Sequence, residues 1–397
     1  LKKISSREIE AAFLSALDNG QIREEDTAVI FYSTAILKDR LQLLQHHFPA
    51  DTLHAVAVKT NSSPEVLQAI SSEGFGLEAA SLEEVILAVE AGVSPEKIVF
   101  DSPVKTRREI AYCHQHLPGI TLNANSIAEL ERYPKAFSGH IGLRVNPLIE
   151  ADVPEILNVA KKASKFGVPF SRKEEIIKAC LLYPEITGLH VHIGSGIKKY
   201  DANILAVKKI TELAREINLR RSAAGLSQHI GWIDIGGGID FEAESGPCSL
   251  ADFVAQLRLS TSLFEDFRVI TEFGKYVHQD ASFVVSDIEY IEQPDEKLPP
   301  IAYIHVGADL FVRKVYSGLP IHYPCSVIKG KGNTKTETME YTIAGPLCFA
   351  GDIVFDRISL PCLEPGDKLA IQAIGANTLS MWSKHCNRKV PGLILLG

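Results

Sequence analysis

The chain lacks the marks of several protein classes. Its seven cysteines (Cys113, Cys180, Cys248, Cys325, Cys348, Cys362 and Cys386) are odd in number and form no Cys-x-x-Cys pair. That argues against structural zinc and a disulfide scaffold, and fits reduced thiols in a cytoplasmic protein. No apolar run reaches the roughly 20 residues of a membrane span, and Leu1-Lys2-Lys3 leads into a polar, helix-like segment in place of a signal sequence. Positive charge is in deficit, with 41 Lys and Arg against 49 Asp and Glu for a net charge of −8. Nucleic acid and anionic membranes both ask for the opposite, so neither is expected as a partner. Internal repeats and low-complexity tracts are absent.

What is present is ordinary for a soluble enzyme, with 46% hydrophobic and 23% charged residues over 397 positions. That length suits two domains or one large barrel with an addition. Residues 5–19 read as an amphipathic helix, 27–32 as a strand and 35–47 as a helix. From Leu53 short apolar strands are expected at 53–59, 75–80, 97–101, 120–124, 140–145, 187–193, 231–235 and 268–272. Helical patterns separate most of them, at 64–72, 82–92, 106–116, 126–132, 171–182, 199–217 and 250–266. Such a rhythm, with strands apolar on both faces, predicts an α/β (β/α)8 barrel, with a doubly wound sheet as the alternative. After Gly274 the pattern turns to strand-like runs at 281–290, 301–306, 337–344, 368–374 and 393–396, split by Pro, Gly and Asp turns. These predict a C-terminal all-β domain of Greek-key-like character, with 330–338 as an exposed hairpin loop.

In a barrel, function collects at the C-terminal ends of the strands. Those ends carry Lys59, Glu78, Arg144, His192 to Ser195, Gly236-Gly237-Gly238 and Glu272. A lysine closing a buried strand is costly unless it is paired or used as an amine. Alone it reads more simply as a side chain snorkelling to water. Three successive glycines let backbone N–H groups approach an anion, though a tight turn explains them equally well. Gly194-Ser195-Gly196 offers a second donor-rich turn on the preceding strand. His192 can stack on a flat ring or simply be a satisfied structural histidine. Glu272 can hold a proton on a ring nitrogen. Amine, phosphate cradle, flat ring and carboxylate together describe a pyridoxal phosphate site.

The motifs Ala57-Val-Lys-Thr-Asn61, Arg144-Val-Asn-Pro147, Ser164-Lys-Phe-Gly-Val168, His190-Val-His-Ile-Gly-Ser-Gly196, Asp234-Ile-Gly-Gly-Gly238 and Glu272-Phe-Gly-Lys275 occur in that order. Gly345-Pro-Leu-Cys348 with Asp352, and Gly375-Ala376 with Asn387, follow. The sequence thereby resembles the diaminopimelate/ornithine decarboxylases, the fold-type III pyridoxal phosphate enzymes, from about residue 28 onward. The resemblance implies a barrel over 34–275, a β domain over 276–397 that also takes in 1–33, and a homodimer with shared active sites. It implies that Lys59 binds the cofactor, His192 stacks on its ring, Glu272 meets the ring nitrogen, and Ser195 with Gly236–Gly238 holds the phosphate. Arg144 and Lys275 join the cofactor set, Glu78 fills a slot often held by Asp, and Cys348 acts near Cα, in the protonation step. The substrate is then an amino acid losing its α-carboxylate. A racemase of similar barrel is the runner-up enzyme, disfavoured by Glu272 and Cys348. A cofactor-free regulatory or binding homologue is the reading from another class.

Departures from the family pattern bear on the substrate. The acid that usually follows the Cys is Phe349, with Ala350 next. An aromatic cannot charge-pair a distal ammonium, although it can offer a cation–π contact. Asn377 stands where the family has a Tyr that binds phosphate, Phe273 replaces a Pro, and Lys275 replaces an Arg and loses its fork. In the segment Asp309 to Tyr316 the family's arginine is displaced by one place, to Arg313. Arg313, Lys314 and His322 are candidates for a basic patch facing an anionic distal group, with a solvated hairpin stretch as the equal alternative. Tyr316, Phe349 and Asp352 complete the expected substrate residues. The preferred expectation is a specialised decarboxylase whose substrate lacks a free distal ammonium, such as a siderophore or natural-product precursor. Diaminopimelate decarboxylation is the alternative. No metal is expected.

Overall fold

The computed structural model describes residues 1–241, 246–330, 332–333 and 337–397, so Lys331 and residues 334–336 of the expected 330–338 loop lie outside the described residues. The chain forms two compact units, one of Lys38–Val277 and one joining Lys2–Leu37 to His278–Gly397.

In the first unit all eight expected strands form, at Leu53–Ala57, Gly76–Ala79, Ile98–Phe100, Thr121–Ala124, His140–Asn146, Ile186–His190, Trp232–Asp234 and Arg268–Thr271. Each pairs in parallel with the next, and the last closes on the first through Ile270 opposite Leu53. The sheet is therefore a closed barrel, and the doubly wound alternative falls. Helices begin where the local sequence supplies a cap. Ser81 accepts the N–H of Glu84, and Thr106 forms a reciprocal box with Glu109. One helical pattern splits. The expected 250–266 helix breaks into Leu250–Ser260 and Leu263–Asp266, because Thr261 is extended.

One large side chain packs across several barrel strands. Trp232 packs in a cluster with Leu53, Ala55, Val99 and Ile270, and its ring covers two neighbouring strands at Gly142 and Gly188. A Cβ at Gly188 would fall 2.1 Å from Trp232 Cε2, and one at Gly142 2.5 Å from Cη2. Glycine is needed there for space, since neither position has a positive φ.

In the second unit the long strand Ser282–Glu292 organises the sheet. Its first half pairs antiparallel with Ala28–Ser33 on one side and Lys368–Gln372 on the other. Past an irregularity between Ile288 and Tyr290 its outer half pairs with Ile301–Ile304. Gly392–Leu396 adds in parallel to Ala28–Ser33. Two strands were not anticipated, Cys325–Ile328 and Ile353–Pro361. The second carries Asp356-Arg357 in its middle, and Arg357 has φ 55°, so no clean alternation marks it. The N-terminal helix Ser6–Asp18, capped by the Ser5/Glu8 box, packs Ile9, Phe13 and Ala16 on Phe31 and Phe283.

Gly188→Ala is expected to destabilise the protein by about 1–3 kcal/mol, the usual cost of overpacking, read as a lower urea midpoint at unchanged slope.

Candidate active site

The end of the first barrel strand is not straight. Lys59 lies in a short 3-10 turn, Val58–Thr60, held by the Thr60 hydroxyl donating to Ala57 O at 2.6 Å. The turn lifts Lys59 off the strand axis, and its side chain keeps 47% of its surface accessible. Its ammonium donates to Oε2 of Glu78, a carboxylate that is fully buried on the second strand. Burial works against the Lys59 charge, but Glu78, Glu272 and Asp101 outweigh it and hold the amine above the ordinary lysine range. Burial, opposed by Lys59, pushes Glu78 upward.

Behind this pair stands a second layer of charge. Arg144 Nη1 donates to Asp101 Oδ2 at 2.7 Å, and the guanidinium lies 4.5 Å from the Phe166 ring centre. Burial alone would raise Asp101, but Arg144, His190 and Lys105 hold it well below the usual carboxylate range. Glu272 follows the last strand and is 5% exposed. Burial, with Asp234, Glu78 and Asp101, pushes it well above the carboxylate range. Its Oε1 has no hydrogen-bond partner among the described residues.

The two glycine turns adjoin. Asp234 Oδ1 accepts the N–H of Gly236 at 2.9 Å and its Oδ2 accepts Asn123 Nδ2 at 3.2 Å, fixing the start of the turn. Gly236 and Gly238 have φ of 67° and 89°. A Cβ on Gly238 would lie 1.9 Å from Gly194 O, so the turn nests against Gly194-Ser195. Gly237 N–H donates to His192 Nδ1 at 3.2 Å, which orients the ring. Burial and the nearby Arg144 depress His192, leaving it neutral with its proton on Nε2. Lys275 pairs with Asp240 at 2.5 Å and ties the residue beyond the turn.

The first unit thus brings together Lys59, Glu78, Arg144, His192, Ser195, Gly236, Gly237, Gly238, Glu272 and Lys275. The donor set fits pyridoxal phosphate. It offers an amine, a flat neutral ring, the Ser195 hydroxyl beside a glycine turn, and a buried carboxylate oxygen with no hydrogen-bond partner among the described residues. Sequence reasoning passed over Asp101, His190 and Lys105. His190 lies inside an apolar strand, where a histidine reads as core, and Asp101 and Lys105 stand at and beyond a strand end that no motif marks. Nearest atoms of Asp101, His190 and Glu272 lie within 4.8 Å of one another, a spacing that a metal ion can also use.

The second unit holds the other predicted residues. Cys348 and Phe349 are exposed. Phe349 stacks on Tyr316, centroids 5.2 Å apart, and Tyr316 Oη meets His385 Nδ1 at 2.7 Å. His385 escaped the sequence reading because nothing in its local sequence marks it. Asp352 presents no free carboxylate. Its Oδ1 accepts Ala308 N–H at 2.5 Å and its Oδ2 accepts Leu347 N–H at 2.7 Å, against Gly307 and Gly345. It pins the loop that carries Cys348. Asn377 has φ 56°, a conformation that Asn tolerates better than most residues. The basic patch does not assemble as expected. Lys314 donates to Ile321 O at 3.0 Å and lies over Phe355, while His322 lines a separate cavity with Lys3, Gln279 and Asp280. Arg313 sits on the short helix Val312–Val315 and influences Tyr323.

A closed barrel with this donor set defines a barrel-type pyridoxal phosphate enzyme. Residues 34–279 match the family model described as pyridoxal-dependent decarboxylase, pyridoxal binding domain. The chain belongs to that family and is a pyridoxal phosphate-dependent amino acid decarboxylase, a lyase. It is similar to diaminopimelate decarboxylase of Methanothermobacter thermautotrophicus, 29% identical over 354 residues, covering 86% of this chain and 79% of the relative. The Helicobacter pylori (strain J99) enzyme of the same name is 28% identical over 346 residues, 85% of this chain and 82% of the relative. Among solved structures, Helicobacter pylori diaminopimelate decarboxylase complexed with L-lysine superposes with a TM-score of 0.83 at 24% identity, over 96% of this chain and 94% of that one. The arginine decarboxylase of Paramecium bursaria Chlorella virus bound to agmatine gives 0.81 at 17% identity, over 98% and 100%. No helix of the described residues is long and apolar enough to cross a membrane.

Asp101→Asn is expected to cost about 3–5 kcal/mol at neutral pH, since it strands the buried Arg144 charge. Because the folded-state carboxyl is depressed, the stabilisation is complete above the unfolded value of about 3.9 and disappears as pH falls through the lower folded value. Urea unfolding at a series of pH values should therefore show the two proteins converging only in acid.

Proposed function

We propose that the chain removes an α-carboxylate from diaminopimelate, with the barrel site as its catalytic centre. The observation that carries the site assignment is Lys59 paired with Glu78 in a barrel whose Glu272 keeps a buried, partnerless oxygen. The substrate is supported by the relatives, both diaminopimelate decarboxylases, which favour diaminopimelate over the siderophore-type conjugate expected from sequence.

Pyridoxal phosphate, when bound, supplies a sink for the electron pair left as CO2 departs. Lys59 holds the cofactor through its amine. Passing the Nζ proton to the buried Glu78 Oε2 turns the ion pair into two neutral groups, which frees the amine as a nucleophile. Glu272 Oε1 holds a proton at the ring nitrogen. His192 offers its neutral face to the ring, and Ser195, beside the Gly236–Gly238 turn, offers its hydroxyl to the phosphate. Arg144 acts through Asp101, and Lys275 steadies the glycine turn through Asp240. The motif ending at Cys348 supports that thiol as the proton donor to Cα. A homodimer in the cytoplasm with shared active sites is part of this reading.

One observation favours a second substrate reading. Phe349 sits in an exposed aromatic group with Tyr316 and His385, a surface suited to a distal end without a free ammonium.

The deciding assay is CO2 release from diaminopimelate by the cofactor-loaded protein. Turnover that vanishes in Lys59→Ala supports the first reading. A loaded but inactive wild type that gains turnover in Phe349→Glu overturns it in favour of the second.

A further inference from the structure

His190 lies at the centre of the charged layer and has no part in the mechanism above. It ends the sixth barrel strand with no solvent exposure. Its Nδ1 is 3.3 Å from Asp101 Oδ1, and its Nε2 is 3.8 Å from Glu272 Oε1. These four atoms are buried and lack hydrogen-bond partners among the described residues. Both ring nitrogens thus face carboxylate oxygens. Against two ionised carboxylates a neutral imidazole, with its single N–H, would set a lone pair against one of them. An imidazolium satisfies both sides, and small shifts of the ring turn both approaches into charge-assisted hydrogen bonds.

The surroundings ask for that charge. Strand register sets His190 opposite Arg144 on one side and Asp234 on the other. Asp101 faces it from the third strand and Glu272 from the end of the eighth. Lys59 and Glu78 lie in the same field. Glu78, Asp101, Glu129, Asp234 and Glu272 stand against Lys59, Lys105 and Arg144, an excess of negative charge. We propose that His190 is a positioning residue, held as an imidazolium between Asp101 and Glu272, which aims Glu272 Oε1 for a ring-nitrogen proton. The inference rests on the barrel site being the pyridoxal phosphate site. Asp101 fixes the far side of the ring, and Arg144 fixes Asp101 at 2.7 Å. The order Arg144, Asp101, His190, Glu272 alternates in sign, so each charge is compensated by the next.

The test is nitrogen NMR of the protein carrying isotope-labelled histidine, without added cofactor, with His190→Asn to assign the signal. The expected result is a His190 ring with both nitrogens protonated at neutral pH, losing one N–H in Asp101→Asn. A neutral single tautomer in the wild type overturns the proposal, for Glu272 then carries the proton itself. If His190→Asn does not fold, the signal that changes in Asp101→Asn provides the assignment and the reading is the same. In the loaded enzyme His190→Asn should lower kcat about tenfold or more, the effect of at least one unit in ring protonation, with KM little changed. An unchanged kcat overturns the proposal. The NMR result needs no substrate. A doubly protonated His190 in a protein that decarboxylates nothing would refute the proposed function and leave the ring's charge standing.

Discussion

A carboxylate taken out of water must find a cation or give up its charge, and this barrel buries several at one end. Glu78, Asp101 and Glu272 are all less than a tenth exposed. Each is compensated differently. Glu78 has the Lys59 amine, Asp101 has the Arg144 guanidinium, and Glu272 faces the His190 ring at 3.8 Å. Strand spacing imposes this arrangement. Adjacent parallel strands lie about 4.8 Å apart, so residues ending neighbouring strands cannot avoid one another's fields. The site's chemistry follows from that crowding, because groups whose charges are contested are those whose protons move.

The glycine turns answer to the same crowding by another route. Asp234 spends its two oxygens on Gly236 N–H and the Asn123 amide, so its charge is absorbed by dipoles in place of a cation. In doing so it fixes the backbone at the start of the turn, whose φ at Gly236 is 67°. One buried acid therefore shapes the turn, while its neighbours tune the amine and the carboxylate.

The barrel was legible because its signal is repeated. Eight apolar strands bounded by turns and capped helices reinforce one another, so an error in one does not change the count. Lys59, Glu272 and the Gly236–Gly238 turn were legible because they end strands whose positions were already known. His190 was not, since a histidine inside an apolar strand looks like core until the strands on either side are placed. Its partners come from positions 101 and 272, far away in sequence. The strand Ile353–Pro361 was missed for a local reason, a charged pair in its middle. The distal-end residues were read from single positions, and there the structure diverges most. Lys314 packs over Phe355, and Asp352 serves its own loop.

The loop from Gly345 to Asp352 is built in two parts with different duties. Its base is clamped by the Asp352 carboxylate against Gly307, Ala308 and Leu347, in a space too tight for any added Cβ at Gly307 or Gly345. Its tip, Cys348 to Ala350, is open to solvent. Inheritance acts differently on the two. Base positions are locked by packing and tolerate almost no replacement, whereas tip positions can be exchanged one at a time at little cost to folding. A lineage bearing this loop can thus explore new chemistry at its tip while the frame beneath it stays the same.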